Sequence, residues 1–335
     1  MKIKRIIQTL TLLSVLTSIS ILAVSCAKNG GTAKEHIYKN EENSGWEVIS
    51  DIHFENGLAI SPLHPRIVQE AGGFEKANTD TLYFEKRDIL PVWQIAQWHS
   101  KYDLAGTKAV RNADNSIEYS NLGKKIVRYA DGTLRLDITT STEYDHPRRD
   151  GEDWPHLLIE QKFSKIPNIG KVKHLNFSIQ LKLEKCENKM QETEFDENFH
   201  TAQSPFYFIL KNNNENSKDY NNSIWLGIPS FDYRYTKMSE TESISWDIGT
   251  SMYIYNVPQK TVWGDISFQD MQWHNANIDI LPLIVNAVDS IKAKGLFKST
   301  DLSDLVLTGM NFGWEIPGTF DAAIIVKEIS LKVIE

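Results

Sequence analysis

The sequence predicts an all-β fold: an antiparallel β-sandwich carrying one or two short helices. Three observations point to it. Short segments of alternating apolar and polar residues recur along the chain between Gly, Asn, Asp and Pro turns. The clearest of them, Thr133–Thr140, sets Leu134, Leu136 and Ile138 against Thr133, Arg135 and Asp137, a period of two, and Asp131-Gly132 before it is a hairpin signal. Only one segment has a firm helical period: Ile284, Val285, Val288 and Ile291, opened by Pro282 and closed before Gly295.

In chain order, strands are expected at 46–54, 81–84, 117–119, 125–129, 133–140, 156–163 and 175–183. Others follow at 206–210, 223–228, 251–255, 305–315 and 319–333. An Asn-rich loop, 212–222, joins two of them. The helix after Pro282 is expected to cap an end or face of the sandwich. The segment 90–100 reads as a second short helix or as a strand. No internal repeat and no linker interrupts 45–335, so this stretch is expected to be one domain.

Residues 1–25 read as a targeting segment and take no part in the fold. Lys2, Lys4 and Arg5 form a positive start, and an apolar run from Ile6 to Val24 follows. Ala23-Val24-Ser25-Cys26 resembles the lipobox of bacterial lipoproteins, with Leu22 four residues before the cysteine instead of the usual three. The resemblance implies cleavage before Cys26, lipidation of that residue and anchoring in the cell envelope, at the outer membrane. The polar stretch 26–44 then serves as a flexible spacer.

Composition narrows the partners. Removing Lys2, Lys4 and Arg5 from the formal net charge of −8 leaves −11 on the mature chain. That balance excludes nucleic acid, whose phosphates demand clustered Lys and Arg, and disfavours polyanions except where cations bunch locally. With Cys26 lipidated, Cys186 has no partner for a disulfide, and no cysteine metal site exists. No His-x-x-x-His or His-Glu-x-x-His occurs, so no metal and no cofactor is expected. Asp-Gly and Asn loops are of the kind that hold structural Ca²⁺, but none has a ligand spacing that supports it.

Two clusters could carry chemistry. The first contains Tyr144, Asp145, His146, Arg148, Arg149, Asp150, Glu152, Asp153, Trp154 and His156, a loop leading into a strand. If Leu157 and Ile159 face the core, His156 and Glu160 face the opposite, concave side and Gln161 points inward. In a lyase, His156 or Tyr144 would remove a proton while Arg148 and Arg149 neutralise a uronate. In a hydrolase, Glu160 would pair with Asp153 or Glu315 across the bond. Without catalysis, the same groups with Trp154 and Gln161 contact a sugar, or they merely pair with each other in solvent. The second cluster holds Trp225, Asp232, Tyr233, Arg234 and Tyr235, an aromatic face with an acid-base pair suited to hydroxyls. Gln272-Trp273-His274-Asn275 offers Trp273 and His274 as a groove rim. The two clusters are expected to meet in one groove.

Three segments resemble the secreted jelly-roll proteins of the concanavalin A-like lectin and glucanase type: Asp153-Trp154-Pro155-His156-Leu157-Leu158-Ile159-Glu160-Gln161, the run from Ile224 to Tyr235, and the run from Gly309 to Asp321. The resemblance implies a jelly-roll antiparallel β-sandwich and a polysaccharide or oligosaccharide partner. The Glu-x-Asp-x-x-Glu run of laminarinase-like hydrolases is absent, as is the Tyr-Phe-Lys-Ala-Gly segment of jelly-roll alginate lyases. The expected function is therefore a membrane-anchored lipoprotein that recognises a polysaccharide in a concave groove. The alternatives are a polysaccharide lyase or glycoside hydrolase acting on an acidic polysaccharide, and a structural envelope lipoprotein.

Overall fold

The computed structural model describes residues 45–85, 88–247 and 250–335. The targeting segment, Cys26 and the spacer lie outside the described residues. The first half of the chain contains β1 (Trp46–Glu47), β2 (Leu58–Ile60), α1 (Pro65–Ala71), α2 (Phe74–Ala77), β3 (Asp80–Leu82) and β4 (Trp93–Ala96). It continues with β5 (Val110–Arg111), β6 (Ile117–Ser120), β7 (Lys124–Arg128), β8 (Leu134–Thr139), β9 (His156–Lys162) and β10 (His174–Asn188). The second half adds β11 (Gln203–Ser204), β12 (Phe206–Asn212), β13 (Ser223–Gly227), β14 (Phe231–Asp232), β15 (Ser243–Asp247) and β16 (Met252–Asn256). It closes with α3 (Gln259–Trp263), β17 (Trp273–Asp279), α4 (Leu281–Ala293), β18 (Leu305–Glu315) and β19 (Phe320–Ile334).

These strands form two sheets, a jelly-roll sandwich. The first runs β17-β10-β19-β8-β7-β6-β5, with β1 on β19. The second runs β15-β16-β13-β12-β18-β9-β4-β2-β3. Pairing is antiparallel apart from β13 with β16 and β2 with β4. The alternation in β8 works as the sequence suggests: Leu134, Leu136 and Ile138 are fully buried. Opposite them the second sheet presents Leu157, Ile159, Phe206, Phe208, Phe312 and Trp314. Phe177 bridges the layers, with its ring 4.8 Å from that of Phe206 and 5.2 Å from that of Phe208. The Trp314 indole donates to the Leu136 carbonyl at 3.0 Å, satisfying its polar edge inside the core. Each such side chain contributes about 1.5–3 kcal/mol by leaving water.

The helix after Pro282 is α4. It buries Leu283, Ile284, Ala287, Val288 and Ile291, following β17 at the edge of the first sheet. Its Ser290 donates to Glu242 beside β15 at 2.9 Å, and Phe297 just beyond it packs on Tyr253 of β16. It thus closes one side of the sandwich. Several expectations differ in detail. Of 46–54 only Trp46–Glu47 is strand, because Asp51 accepts from the amides of Glu55 and Asn56 and turns the chain. The ambiguous segment 90–100 is strand at Trp93–Ala96. Trp273 and His274, expected at a groove rim, lie in β17, paired with β10.

Candidate functional site

On β9, Leu157 and Ile159 do face the core, and His156, Leu158 and Glu160 take the other side. On β18 the core residues Met310, Phe312 and Trp314 alternate with Asn311, Gly313 and Glu315. The registers align the outer residues in rows. Tyr207 of β12, Asn311, Glu160 and Gln94 of β4 form one row. Gln203 of β11, Glu315 and His156 form another. Between the rows lie Gly313, Leu158 and Ala96, so the floor there is low. Gly313 has φ +148, and a Cβ on it would meet the Leu157 carbonyl oxygen at 2.1 Å, so no other residue fits the sheet there.

This face is a cleft, because elements rise on both sides of it. Pro65, Val68 and Gln69 of α1 and Phe74 of α2 stand on one side, and Trp225 of β13 and Thr250 on the other, around a space of about 450 Å³. The sheet itself curls. Asp247 on the edge strand β15 exerts its charge on Glu315 and Tyr207. Three strands separate β15 from β18, and a flat sheet would hold them about 19 Å apart. A bulge between Ile209 and Leu210 in the β12–β18 pairing helps bend it.

The chemistry of this face departs from that of an ordinary wet surface. Glu160 is only 9% exposed, and burial pushes its carboxyl up to about 8 despite a hydrogen bond from Asn311. Burial likewise raises Glu315 to about 7, against a hydrogen bond from the Gln203 amide at 2.9 Å, and Asp247 adds to the rise. The Tyr207 phenol is held well above its usual value, first by burial and then by the charges of Glu315 and Asp247. His156 is driven down to about 4 by burial, with His99 adding to it, and so stays neutral. Its ring stacks on Trp154 at 5.7 Å and meets Trp98 edge-on at 5.7 Å, while Phe74 stacks on Trp98 at 6.4 Å. Trp225 meets Tyr207 edge-on at 5.2 Å. Four buried polar atoms here have no partner within the described residues: Nδ1 of His156, Nε1 of Trp98, Nε1 of Trp154 and Oδ1 of Asn311.

The sequence-derived candidates divide. His156, Glu160, Trp154 and Trp225 belong to this face, and Glu315 joins them. Gln161 points inward as expected and is satisfied there, its amide exchanging hydrogen bonds with the Ser50 backbone at 2.7 and 2.9 Å. Asp153, the other partner considered for Glu160, instead binds His99 at 3.1 Å. Tyr144 donates to the Ile316 carbonyl at 3.3 Å, and Arg149 is exposed on its turn. The two clusters approach each other, but away from Glu160. Arg148 donates to the carbonyls of Glu152 (2.7 Å) and Phe199 (3.5 Å) and lies over the Trp154 ring. Arg234 grips Asp232 through two bonds, 2.9 and 2.6 Å, and reaches the Glu197 carbonyl at 3.4 Å. Both arginines thus hold the turn around Glu197–Phe199, where the nearby Asp232 and backbone oxygens offset their charge. Arg234 and Tyr235 line a neighbouring hollow that also contains Gln203 and Tyr207. Trp273 and His274 lie on the other sheet, where Trp273 stacks under Lys327 at 4.5 Å and His274 pairs with Asp270 at 2.9 Å.

Trp98, Gln94, Tyr207, Asn311, Lys162 and Lys211 belong to the cleft and were not singled out in the sequence. Asn311 did carry a signal: it interrupts the apolar residues of a strand in step with Gly313 and Glu315. Among the described residues no group of three or more His, Cys, Asp or Glu is placed to hold a metal ion. Cys186 is a free thiol whose burial raises it to about 12.

No protein-family model and no curated protein matches the chain. Among solved structures it is similar to a thermostable cellulase derived from that of Rhodothermus marinus, at 10% identity over 72% of this chain and 100% of that one, with a TM-score of 0.37. It is also similar to a family 12 xyloglucanase from Bacillus licheniformis, at 12% identity over 68% and 97%, TM-score 0.36. A third is the xyloglucanase domain of a type three effector from Sinorhizobium fredii, crystallised with cellobiose, at 11% identity over 70% and 100%, TM-score 0.35. At these identities and scores the likeness extends to neither substrate nor reaction.

Proposed function

We propose that this protein binds a polysaccharide along the concave face of its second sheet and hydrolyses a glycosidic bond there, with Glu160 as the general acid that protonates the leaving oxygen while water takes its place. The observation that supports this is a carboxyl on the cleft face, Glu160, that burial raises to about 8 and so keeps protonated at neutral pH. Glycoside hydrolysis needs an acid that still holds its proton when the leaving oxygen departs. Trp98 and Trp225 line the cleft and provide apolar surfaces for sugar rings. Asn311 and Gln94, both beside Glu160, offer hydrogen bonds to hydroxyls.

The test is to incubate the protein with a panel of plant and algal polysaccharides and follow new reducing ends. Product is expected, at a rate that falls as Glu160 loses its proton around pH 8. Glu160→Gln should lower the rate by about 10²–10⁴-fold. Release of unsaturated sugars that survives this substitution would replace hydrolysis with elimination.

We infer further that the chain is held at the cell envelope by a lipid on Cys26, a reading supported by the Ala23-Val24-Ser25-Cys26 run alone. Cys26→Ser should shift the protein out of the membrane fraction; unchanged fractionation would refute the anchor.

A further inference from the structure

Lys162 at the end of β9 and Lys211 of β12 flank β18 on the cleft face, and both line the cleft. Neither ammonium has an ion-pair partner among the described residues, whereas Arg234 is paired to Asp232. Between them β18 contributes Gly309, which has no side chain, and Thr308, whose hydroxyl donates to the Ile209 carbonyl at 3.1 Å. Among the described residues lining the cleft the one carboxyl is Glu160, and burial favours its neutral form. A chain with a formal net charge of −8 therefore turns a locally cationic patch toward its own cleft.

We propose, on the basis of the glycan-cleft reading, that the cleft end beyond Glu160 is an anionic subsite in which Lys162 and Lys211 receive the negatively charged substituent of an acidic sugar. The chemistry is that of a compact anion, a uronate carboxylate or a sulfate ester. Ammonium groups serve it as point charges, without the two-pronged geometry that an arginine would impose. The neutral residues toward Gly313 and Trp225 then accommodate the uncharged parts of the chain.

Affinity electrophoresis of the detergent-solubilised full-length protein tests this with three polymers: polygalacturonate, a carrageenan carrying sulfate but no uronate, and xyloglucan, which is neutral. Retardation by an acidic polymer is expected, weakening as salt rises. Whichever of the first two retards the protein identifies the anion. The double variant Lys162→Ala/Lys211→Ala should lose tenfold or more in that affinity, while Lys211→Arg should retain most of it. Retardation by xyloglucan alone, or by an acidic polymer with no loss in the double variant, would overturn the subsite and leave the glycan cleft standing. Retardation by none of the three would overturn both.

Discussion

The outward faces of the two sheets show how differently one sequence can treat the same geometry. On the first sheet the outward residues are charged and matched: Arg135 binds Asp137 at 2.7 Å and Glu184 at 2.6 Å, and Lys182 also reaches Glu184 at 3.3 Å. There the Arg135 guanidinium compensates the burial of Asp137, so that network leaves no carboxyl without a cation. On the second sheet the outward carboxyls Glu160 and Glu315 have amide partners but, among the described residues, no cationic ones, and burial raises both. The difference comes from the neighbouring elements. α1, α2 and the β15–β16 edge rise beside the second sheet and exclude water from it. A folded chain gains no stability by desolvating an unpaired acid, so this face is costly in a way the other is not. Costs of that kind gather where chemistry is done.

The largest expected effect on stability that separates the faces is a pH dependence. The folded Glu160 carboxyl titrates at about 8 against an ordinary 4.5, so the fold prefers the protonated form. Its contribution is complete below 4.5 and is lost as pH rises toward about 8. Glu160→Gln should therefore leave stability unchanged at pH 4.5 and make the protein more stable than wild type above about pH 8, by a few kcal/mol in chemical denaturation. Equal stability of the two proteins at alkaline pH would erase the contrast between the faces. At the small end stands Lys125→Ala, which breaks the partly exposed ion pair with Glu118 on the first sheet. It should cost about 1 kcal/mol or less and leave glycan binding and product formation untouched. A loss of binding in that variant would mean that the site had been assigned to the wrong sheet.

Much of this was legible in the sequence, for physical reasons. The period-two alternation of β8, and the Leu157, Ile159 phase of β9, fix which side chains face inward wherever one face is buried. Glu160 and His156 could thus be assigned to the opposite side. What could not be read were features that depend on residues distant in sequence. Trp98 lay in a segment too short to separate helix from strand. Lys162 and Lys211 look like ordinary solvated strand ends until β18 brings them to one wall. The expected meeting of Arg148 with Arg234 reflected a real approach, but the object between them is the Glu197–Phe199 turn. Local acid and backbone groups offset both arginines, leaving Lys162 and Lys211 as the charges that face the cleft.

The central claim is that the second sheet keeps two desolvated acids on its outer face, one of them, Glu160, poised for proton transfer. Carbon-13 labelling of the glutamate carboxyls, with Glu160→Gln and Glu315→Gln to assign them, would follow both groups directly by NMR as pH is varied. Midpoints near 8 for Glu160 and near 7 for Glu315 are expected. Midpoints for both at the ordinary carboxylate value of 4.5 would show a solvated surface and contradict the account.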